Sequence, residues 1–141
     1  MIRQANFTDL PTLTALALKL WPDHGPEALQ AELAETLKKE DAAFFLTEND
    51  AGFAQCQLRR DYVEGTQSSP VGYLEVIYVE EASRGQGLAR KLLTACQEWA
   101  RKQGCREFAS DCELTNNQSL RFHLALGFEE ANRIICFAKK L

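Results

Sequence analysis

The six residues from Arg84 to Ala89, Arg-Gly-Gln-Gly-Leu-Ala, have the residue types and the position of an anion-binding turn. They lie between an apolar, β-branched run that ends at Val79 and an amphipathic run from Leu88 to Ala100. A strand, a glycine-containing turn and a helix in this order leave backbone N–H groups without partners at the helix N-terminus, where the helix dipole adds partial positive charge. The turn therefore suits a phosphate or pyrophosphate. The alternative is an ordinary glycine-rich turn before a surface helix.

The same turn departs from two common nucleotide-binding patterns. The dinucleotide fingerprint G-x-G-x-x-G needs a third glycine, and Ala89 follows Leu88 instead. The Walker pattern ends in Gly-Lys-Ser/Thr, which is absent here. A nucleotide-binding protein that uses this turn remains an alternative.

Glu75 is the second candidate for chemistry, because it stands between Leu74 and Val76 in the apolar run from Val71 to Val79. A carboxylate in such a run is costly to bury unless it is paired or functional. The alternative is that Glu75 lies on the solvent-facing side of an alternating strand. The run is the strongest strand signal in the chain, and it leads directly into the turn at Arg84.

Hydrophobic periodicity and turn residues predict the element order β-α-α-β-β-β-α-β-α-β-β. The predicted strands are Ile2–Ala5, Ala42–Thr47, Phe53–Tyr62, Val71–Val79, Glu107–Cys112 and a last strand or hairpin over Phe128–Ala138. The predicted helices follow a cap at Thr8 or Asp9, carry Leu29, Leu33 and Leu37, run from Leu88 towards Gly104, and cover Asn116–Leu126. The interpretation is a mixed α/β fold, with strands and helices alternating in its second half.

Composition fits a single globular domain over residues 1–141. The net charge of −4 argues against non-specific nucleic-acid binding and favours a cationic partner, or else indicates a solvated acidic surface. No stretch has the length of a signal peptide or a membrane span, so we expect a cytoplasmic protein without a membrane partner. The five cysteines have no C-x-x-C spacing, which predicts small buried side chains rather than a metal site or a disulfide framework.

Two motifs together resemble the Gcn5-related N-acetyltransferases (GNAT). Arg84-x-x-Gly87-x-Ala89 resembles the pyrophosphate loop with which that family binds acetyl-coenzyme A, and Asn116-x-x-Ser119-x-x-x-His123-x-x-x-Gly127-Phe128 resembles its second motif. The resemblance implies a twisted, mixed and mostly antiparallel sheet of about six to seven strands flanked by about four helices. It also implies acetyl-CoA as co-substrate, no metal, and these cofactor-binding residues: Ile77, Tyr78, Val79, Arg84, Gly85, Gln86, Gly87, Leu88, Ala89, Asn116 and Ser119.

Three further stretches, Leu20–Asp23, Tyr62–Glu75 and Glu107–Asp111, are similar to the aminoglycoside 6′-N-acetyltransferases. That resemblance implies direct attack of a 6′-amine on acetyl-CoA in a ternary complex. Glu75 would accept the proton of the amine, directly or through a water. The family also implies a homodimer, in which the Asp61–Ser69 segment is a candidate to reach the neighbouring cleft. The implied substrate-binding residues are Trp21, His24, Tyr62, Glu75, Asp111 and Asn132.

Several residues keep a second interpretation. His123 stands where many family members have a tyrosine proposed to protonate the leaving thiolate; an imidazole could do so, or could only contact the cofactor. Asp111 could start a turn or cap a helix, and Trp21 could serve packing alone. The acceptor could instead be another small amine or a protein N-terminus, and the chain could be a non-catalytic CoA-binding module.

Overall fold

The computed structural model describes residues 1–141, whose strands form one five-stranded sheet in chain order. Neighbouring strands are antiparallel except for the last pair, which is parallel. The sheet is therefore mixed and mostly antiparallel, as predicted, but it has five strands rather than six to seven. The strands are β1 (Ile2–Gln4), β2 (Ala42–Thr47), β3 (Gly52–Arg59), β4 (Val71–Val79) and β5 (Phe108–Ala109).

Helices cover both faces of the sheet. On one face, α1 (Leu10–Leu20) and α2 (Pro26–Leu37) pack their leucines against Phe44, Leu46 and Phe53. On the other face, α3 (Leu88–Lys102) packs Leu92, Cys96 and Trp99 against the opposite sides of the same strands. All six residues of β2 are buried because helices cover both of its faces. The last helix is α4 (Asn117–Ala125).

Gly72 lies where β4, β5 and α3 meet. A Cβ at this position would lie 2.6 Å from both Ala100 Cβ and Phe108 Cδ1, so only glycine permits this close approach. The contact fixes the short strand β5 beside β4. Cys56, Cys96 and Cys105 are buried, as predicted for small apolar side chains, whereas Cys112 and Cys136 are exposed. None of the helices is both long and apolar enough to cross a bilayer.

The first helix begins after Asp9, one of the two predicted capping positions, but the Asp9 side chain makes no capping hydrogen bond to α1. The side-chain cap belongs to a short 3₁₀ turn over Phe7–Asp9: Asn6 Oδ1 accepts a hydrogen bond from the Thr8 N–H at 2.9 Å, and Asp9 Oδ2 accepts one from the Asn6 N–H at 2.9 Å. The Asp9 carboxylate also accepts two hydrogen bonds of 2.8 Å from Arg3, and this pairing lowers the pKa of Asp9. A short 3₁₀ turn therefore precedes α1.

The predicted last strand or hairpin over Phe128–Ala138 is wrong. Residues 129–141 form no regular element and take part in no backbone–backbone hydrogen bond. Their apolar side chains face solvent, with Ile134 65%, Ile135 79% and Phe137 90% exposed. The continuous apolar run from Ile134 to Ala138 favours a strand, but a strand also needs a neighbour for its backbone groups, and this segment has none within the chain.

Two predicted strands are shorter than expected. β3 ends at Arg59 instead of Tyr62, and β5 contains two residues instead of the predicted six from Glu107 to Cys112. Polar residues and a glycine occupy the segment between Arg60 and Pro70, which leaves the sheet as an irregular loop. The short β5 matters for function, because it covers only the beginning of β4.

Candidate active site

The turn before α3 presents a row of unpaired backbone donors. Gly85 and Gly87 have φ values of +82° and +78°, a conformation that glycine adopts without strain. The six consecutive amides from Gly85 to Arg90 donate no hydrogen bond to any group of the chain, and the first helical bond is from Lys91 N to Gly87 O at 3.1 Å. These N–H groups stand at the positive end of the α3 dipole and fit a diphosphate.

Arg84 anchors this turn to the end of β4. Its Nε donates a hydrogen bond of 2.9 Å to the Val79 carbonyl, and its guanidinium lies 5.9 Å from the centre of the Tyr78 ring. The side chain therefore supports the turn, while the amides of the following residues remain available. This division of roles agrees with the expectation that the backbone binds the ligand here.

One edge of β4 has no strand beside it. β5 pairs only with Gly72 and Tyr73, so the β4 edge from Leu74 to Val79 is open on that side. Ser110, just after β5, places its Oγ 3.3 Å from the Leu74 carbonyl and marks where the two strands separate. The open edge includes Ile77, Tyr78 and Val79 and runs directly towards the turn at Arg84. An extended ligand with amide groups can hydrogen-bond along such an edge.

Glu75 occupies a β-bulge in β4. Val76 pairs with Gln55 and Leu74 pairs with Cys56, so Glu75 has no partner on β3. Bulges re-aim side chains and are frequent beside active sites. Here Glu75 and Val76 both lie on the face covered by α1 and α2. The sequence marked Glu75 only as a carboxylate in an apolar run; the bulge itself has no sequence signal.

Arg59 pairs with Glu75, a contact that the sequence analysis did not predict. Its Nε donates to Glu75 Oε2 at 3.0 Å and its Nη2 donates to Oε1 at 2.8 Å. The guanidinium carbon also lies 3.4 Å from the centre of the Tyr73 ring. Burial lowers the pKa of Arg59, but the hydrogen bonds to Glu75 together with the charges of Glu75, Tyr73 and Asp111 outweigh burial, so the arginine pKa is raised. The alternation Gln55, Gln57, Arg59 on one face of β3 is the signal that could have identified it.

Tyr73 links this pair to Asp111. The tyrosine hydroxyl donates a hydrogen bond to Asp111 Oδ2. Burial, together with that bond, raises the pKa of Tyr73, so the phenol stays protonated and acts as a donor. Glu75 and Asp111, the two predicted substrate carboxylates, thus belong to one cluster with Arg59 and Tyr73. Neither alternative for Asp111 applies, because it caps no helix and instead accepts from Tyr73.

His123 is held by both ring nitrogens. Nδ1 lies 2.7 Å from the Ser119 carbonyl, which can only accept, so Nδ1 carries a proton. Nε2 lies 2.8 Å from Ser110 Oγ. The ring packs edge-on against Phe122 and Phe128. If Nε2 is also protonated, it donates to Ser110 Oγ, whose own proton is then directed to the Leu74 carbonyl. The site therefore accommodates a charged imidazolium.

Asn116 caps α4. Its Oδ1 accepts a hydrogen bond of 3.0 Å from the Ser119 N–H, which leaves the side-chain NH₂ group available. Ser119 in turn supplies the carbonyl that holds His123. Both predicted cofactor residues thus have a structural role in the position of His123, and contact with the cofactor stays a prediction.

The other predicted substrate residues make no hydrogen bond to Glu75 or Asp111. Trp21 lines a groove of about 510 Å³ beside α2, together with Gln55, and its ring is 5.7 Å from that of exposed His24. Tyr62 is 76% exposed in the loop after β3. Asn132 Nδ2 donates to Glu64 in the same loop at 2.8 Å. Trp21 and Gln55 line the same groove, and Gln55 pairs with Val76, the residue that follows Glu75 on β4. Trp21 therefore lies on the same face of the sheet as Glu75, the face covered by α1 and α2.

Comparison with known proteins identifies relatives along the whole chain. Residues 10–128 match the profile of the acetyltransferase (GNAT) family. Aminoglycoside N(6′)-acetyltransferase type 1 of Stenotrophomonas maltophilia is 44% identical over 144 residues, which cover 99% of this chain and 93% of that protein. The protein of the same name from Serratia marcescens is 42% identical over 145 residues, which cover 100% of this chain and 99% of that protein.

Solved structures of an aminoglycoside N-acetyltransferase also superpose on this chain. AAC(6′)-Iy in complex with the bisubstrate analogue CoA-S-monomethyl-acetylneamine superposes with a TM-score of 0.94 at 42% identity, covering 100% of this chain and 98% of that one. AAC(6′)-Iy in complex with CoA gives a TM-score of 0.95 at 41% identity, covering 100% of this chain and 95% of that one.

Proposed function

We propose that this chain, which belongs to the acetyltransferase (GNAT) family, transfers an acetyl group from acetyl-CoA to the 6′-amine of aminoglycosides. One observation carries the proposal: the strand that ends in the donor-rich turn at Arg84 also carries Glu75 in a bulge. A diphosphate-binding turn, an open strand edge and an acidic cluster therefore follow one another along β4. Relatives at 42–44% identity over nearly the full chain bear the corresponding name.

The residues along β4 and its turn fit acetyl-CoA. The amides from Gly85 to Arg90 would hold the diphosphate, and the open edge at Ile77, Tyr78 and Val79 would pair with the amides of the pantetheine arm. The Asn116 NH₂ group is available on the other side of the opening. When bound, acetyl-CoA supplies an acetyl group activated as a thioester. The residues that hold it serve to position that group against the amine.

The acidic cluster supplies the site for the amine. An amine with a lysine-like pKa of ~10.4 is less than about 0.1% neutral at pH 7, and its deprotonation costs ~4–5 kcal/mol. Glu75 accepts that proton, directly or through a water, and the amine then attacks the thioester carbonyl. Asp111 attracts the remaining ammonium groups of the polycationic substrate. The proposed contacts for the sugar rings are Trp21, His24, Tyr62 and Asn132.

We propose that His123 protonates the departing thiolate through Ser110. In its imidazolium form His123 donates to the Ser119 carbonyl and to Ser110 Oγ. Transfer of the Nε2 proton to Ser110 Oγ would release the Ser110 hydroxyl proton to the thiolate of coenzyme A, which would give the free thiol and a neutral imidazole. A thiolate is a fairly stable leaving group, and the expected contribution is therefore modest. If His123 only contacts the cofactor, substitution of Ser110 should leave kcat unchanged.

We also propose a homodimer. Residues 129–141 make no backbone–backbone hydrogen bond, and their large apolar side chains Ile134, Ile135 and Phe137 are exposed. The Asp61–Ser69 segment is exposed around Tyr62 and, as expected from the sequence, is the candidate to reach a neighbouring cleft. Sedimentation analysis would give twice the mass of 15.9 kDa. A cytoplasmic location and the absence of a metal stay predictions.

The test is thiol release from acetyl-CoA with matched acceptors. We expect release with kanamycin and tobramycin, which bear a 6′-amine, and none with analogues that have a 6′-hydroxyl. Release only with other small amines or with peptide N-termini would support the alternative acetyltransferase. Binding of acetyl-CoA without release to any amine would indicate a non-catalytic module. A host that expresses folded protein should lose kanamycin sensitivity.

A further inference from the structure

Arg59 occupies the place that a substrate cation would need. Its guanidinium makes both hydrogen bonds to Glu75 and lies against the Tyr73 ring. A carboxylate and an aromatic face are also the two groups that recognise an ammonium ion. Asp111 accepts from the Tyr73 hydroxyl and adds negative charge near the same point. The four side chains form a complete cation site that is filled by a residue of the protein itself.

The Arg59–Glu75 ion pair can also separate. The side chains of Arg59 and Glu75 are 38% and 18% exposed, so water and a ligand can reach both. Arg59 is the last residue of β3, and the chain leaves the sheet immediately after it. The guanidinium hydrogen-bonds only to Glu75 and stacks only on the Tyr73 ring. Its long side chain can therefore move off the carboxylate without disturbing the sheet.

Glu75 cannot bind Arg59 and a substrate amine in the same way at the same time. Both of its oxygens already accept hydrogen bonds from the bidentate guanidinium, so neither is free for a second cation. A second cation at the same carboxylate would also be repelled by Arg59. An amine that approaches Glu75 must therefore compete with the arginine.

We propose that Arg59 is an internal counter-ion of Glu75 that a cationic substrate displaces, so that Arg59 sets the selectivity for polycations. This inference rests on the proposed function, because it takes Glu75 as the residue that meets the amine. In the free protein, Arg59 holds the carboxylate in a fixed orientation. A substrate with several ammonium groups displaces Arg59 more readily than one with a single amine, since another ammonium group can bind Asp111.

Arg59→Gln tests the proposal, with Arg60→Gln as the matched control. The glutamine side chain keeps part of the contact with Tyr73 but carries no charge, while Arg60 lies one residue away and reaches only Asp41 at 3.5 Å. We expect Arg59→Gln to bind tobramycin about three- to tenfold more tightly than the wild type in calorimetry, because a competing cation is gone. Arg60→Gln should differ by less than about twofold, since exposed charges are screened.

The affinity for a monoamine such as methylamine gives a second readout that a purely structural role would not move. A monoamine has no further ammonium groups that help it displace Arg59, so its binding should improve more than that of tobramycin in Arg59→Gln and stay unchanged in Arg60→Gln. Arg59→Lys retains a charge without the bidentate fork and should bind tobramycin like the wild type. If Arg59→Gln is poorly folded by circular dichroism, Arg59→Met, which retains the apolar contact with Tyr73, takes its place.

The outcomes separate this inference from the proposed function. The inference is overturned if the folded Arg59→Gln and Arg59→Met variants bind tobramycin as tightly as the wild type or more weakly. It is also overturned if neither the variants nor the wild type bind tobramycin. Tighter binding by the variants, together with no thiol release by the wild type, supports the inference and contradicts the proposed acetyl transfer. Tighter binding together with wild-type turnover supports both.

Discussion

The two halves of the site use opposite means to bind charge. The turn from Gly85 to Arg90 offers backbone donors that have no partner in the chain. The cluster around Glu75 offers side chains whose charges already satisfy one another through Arg59 and Tyr73. The first half is ready for an anion as it stands, because glycine and helix geometry fix its donors. The second half must exchange one partner for another when a cation arrives.

This difference predicts which residues tolerate substitution. The proposed diphosphate site consists of the backbone amides of the turn, so changes there should matter only where they alter the backbone. In the acidic cluster every function resides in a side chain, so single substitutions should have large effects.

Glu75→Gln should have the largest effect. The amide is isosteric but cannot accept the proton of an ammonium group, and kcat should fall by about 10²- to 10⁴-fold. Affinity for acetyl-CoA, measured by calorimetry, should stay unchanged because the turn is intact. Glu98→Gln, on the exposed side of α3, is the matched control and should retain full activity. A normal kcat in Glu75→Gln would show that proton transfer takes another route.

Gly87→Ala should weaken cofactor binding. Gly87 has φ +78°, and a non-glycine residue in that region costs roughly 1–2 kcal/mol. A loss of that size corresponds to about a 5- to 30-fold weaker Kd for acetyl-CoA in calorimetry. Gly25→Ala is the control, because Gly25 has φ −66° and open space around it. Equal affinities of the two variants would contradict a turn that depends on its backbone conformation.

His123→Gln and Ser110→Ala should lower kcat by about tenfold each, since general acids contribute modestly when a thiolate leaves. If the two residues act as one relay, the double variant should be no slower than either single variant. Rates under single-turnover conditions measure the chemical step directly. If the fold-decreases in rate of the two single variants multiply in the double variant, the two residues act separately.

Gln86→Ala should have the smallest effect. Its backbone N–H is retained, so the Kd for acetyl-CoA should change by less than about twofold. Arg84→Ala is the informative companion, because it removes the bond to the Val79 carbonyl. That loss should weaken cofactor binding by about 1 kcal/mol in the same calorimetric titration. A larger effect at Gln86 than at Arg84 would reverse the assignment of roles.

The backbone half of the site was more predictable from the sequence than the side-chain half. The limits of β2 and β4 are confirmed because uninterrupted apolar runs bounded by turn residues define them. The turn at Arg84 was predictable because glycine placement depends on local conformation. Arg59 was not identified, because its pairing depends on the register of β3 against β4 and on the bulge at Glu75. Long-range register has no signature in a short stretch of sequence.

The segment after Phe128 also shows that strand pairing cannot be predicted from a short stretch of sequence. Its apolar run favours a strand, yet a strand exists only where another strand accepts its hydrogen bonds. Neither the partner strand nor its distance is encoded in the run. For Asn116, the family resemblance implies a contact with coenzyme A, which stays a prediction; the cap that its Oδ1 forms on α4 is the part that the structure adds.

The most direct test of the central claim is a titration of ¹⁵N-labelled protein with coenzyme A, followed by amide NMR. We predict that the amides from Gly85 to Arg90 show the largest shifts, move downfield as they gain an acceptor, and saturate together. The signals of the Arg59 and Glu75 region should change little until an aminoglycoside is added. Saturable coenzyme A binding that leaves the six amides unshifted would contradict a diphosphate site built from the backbone of this turn.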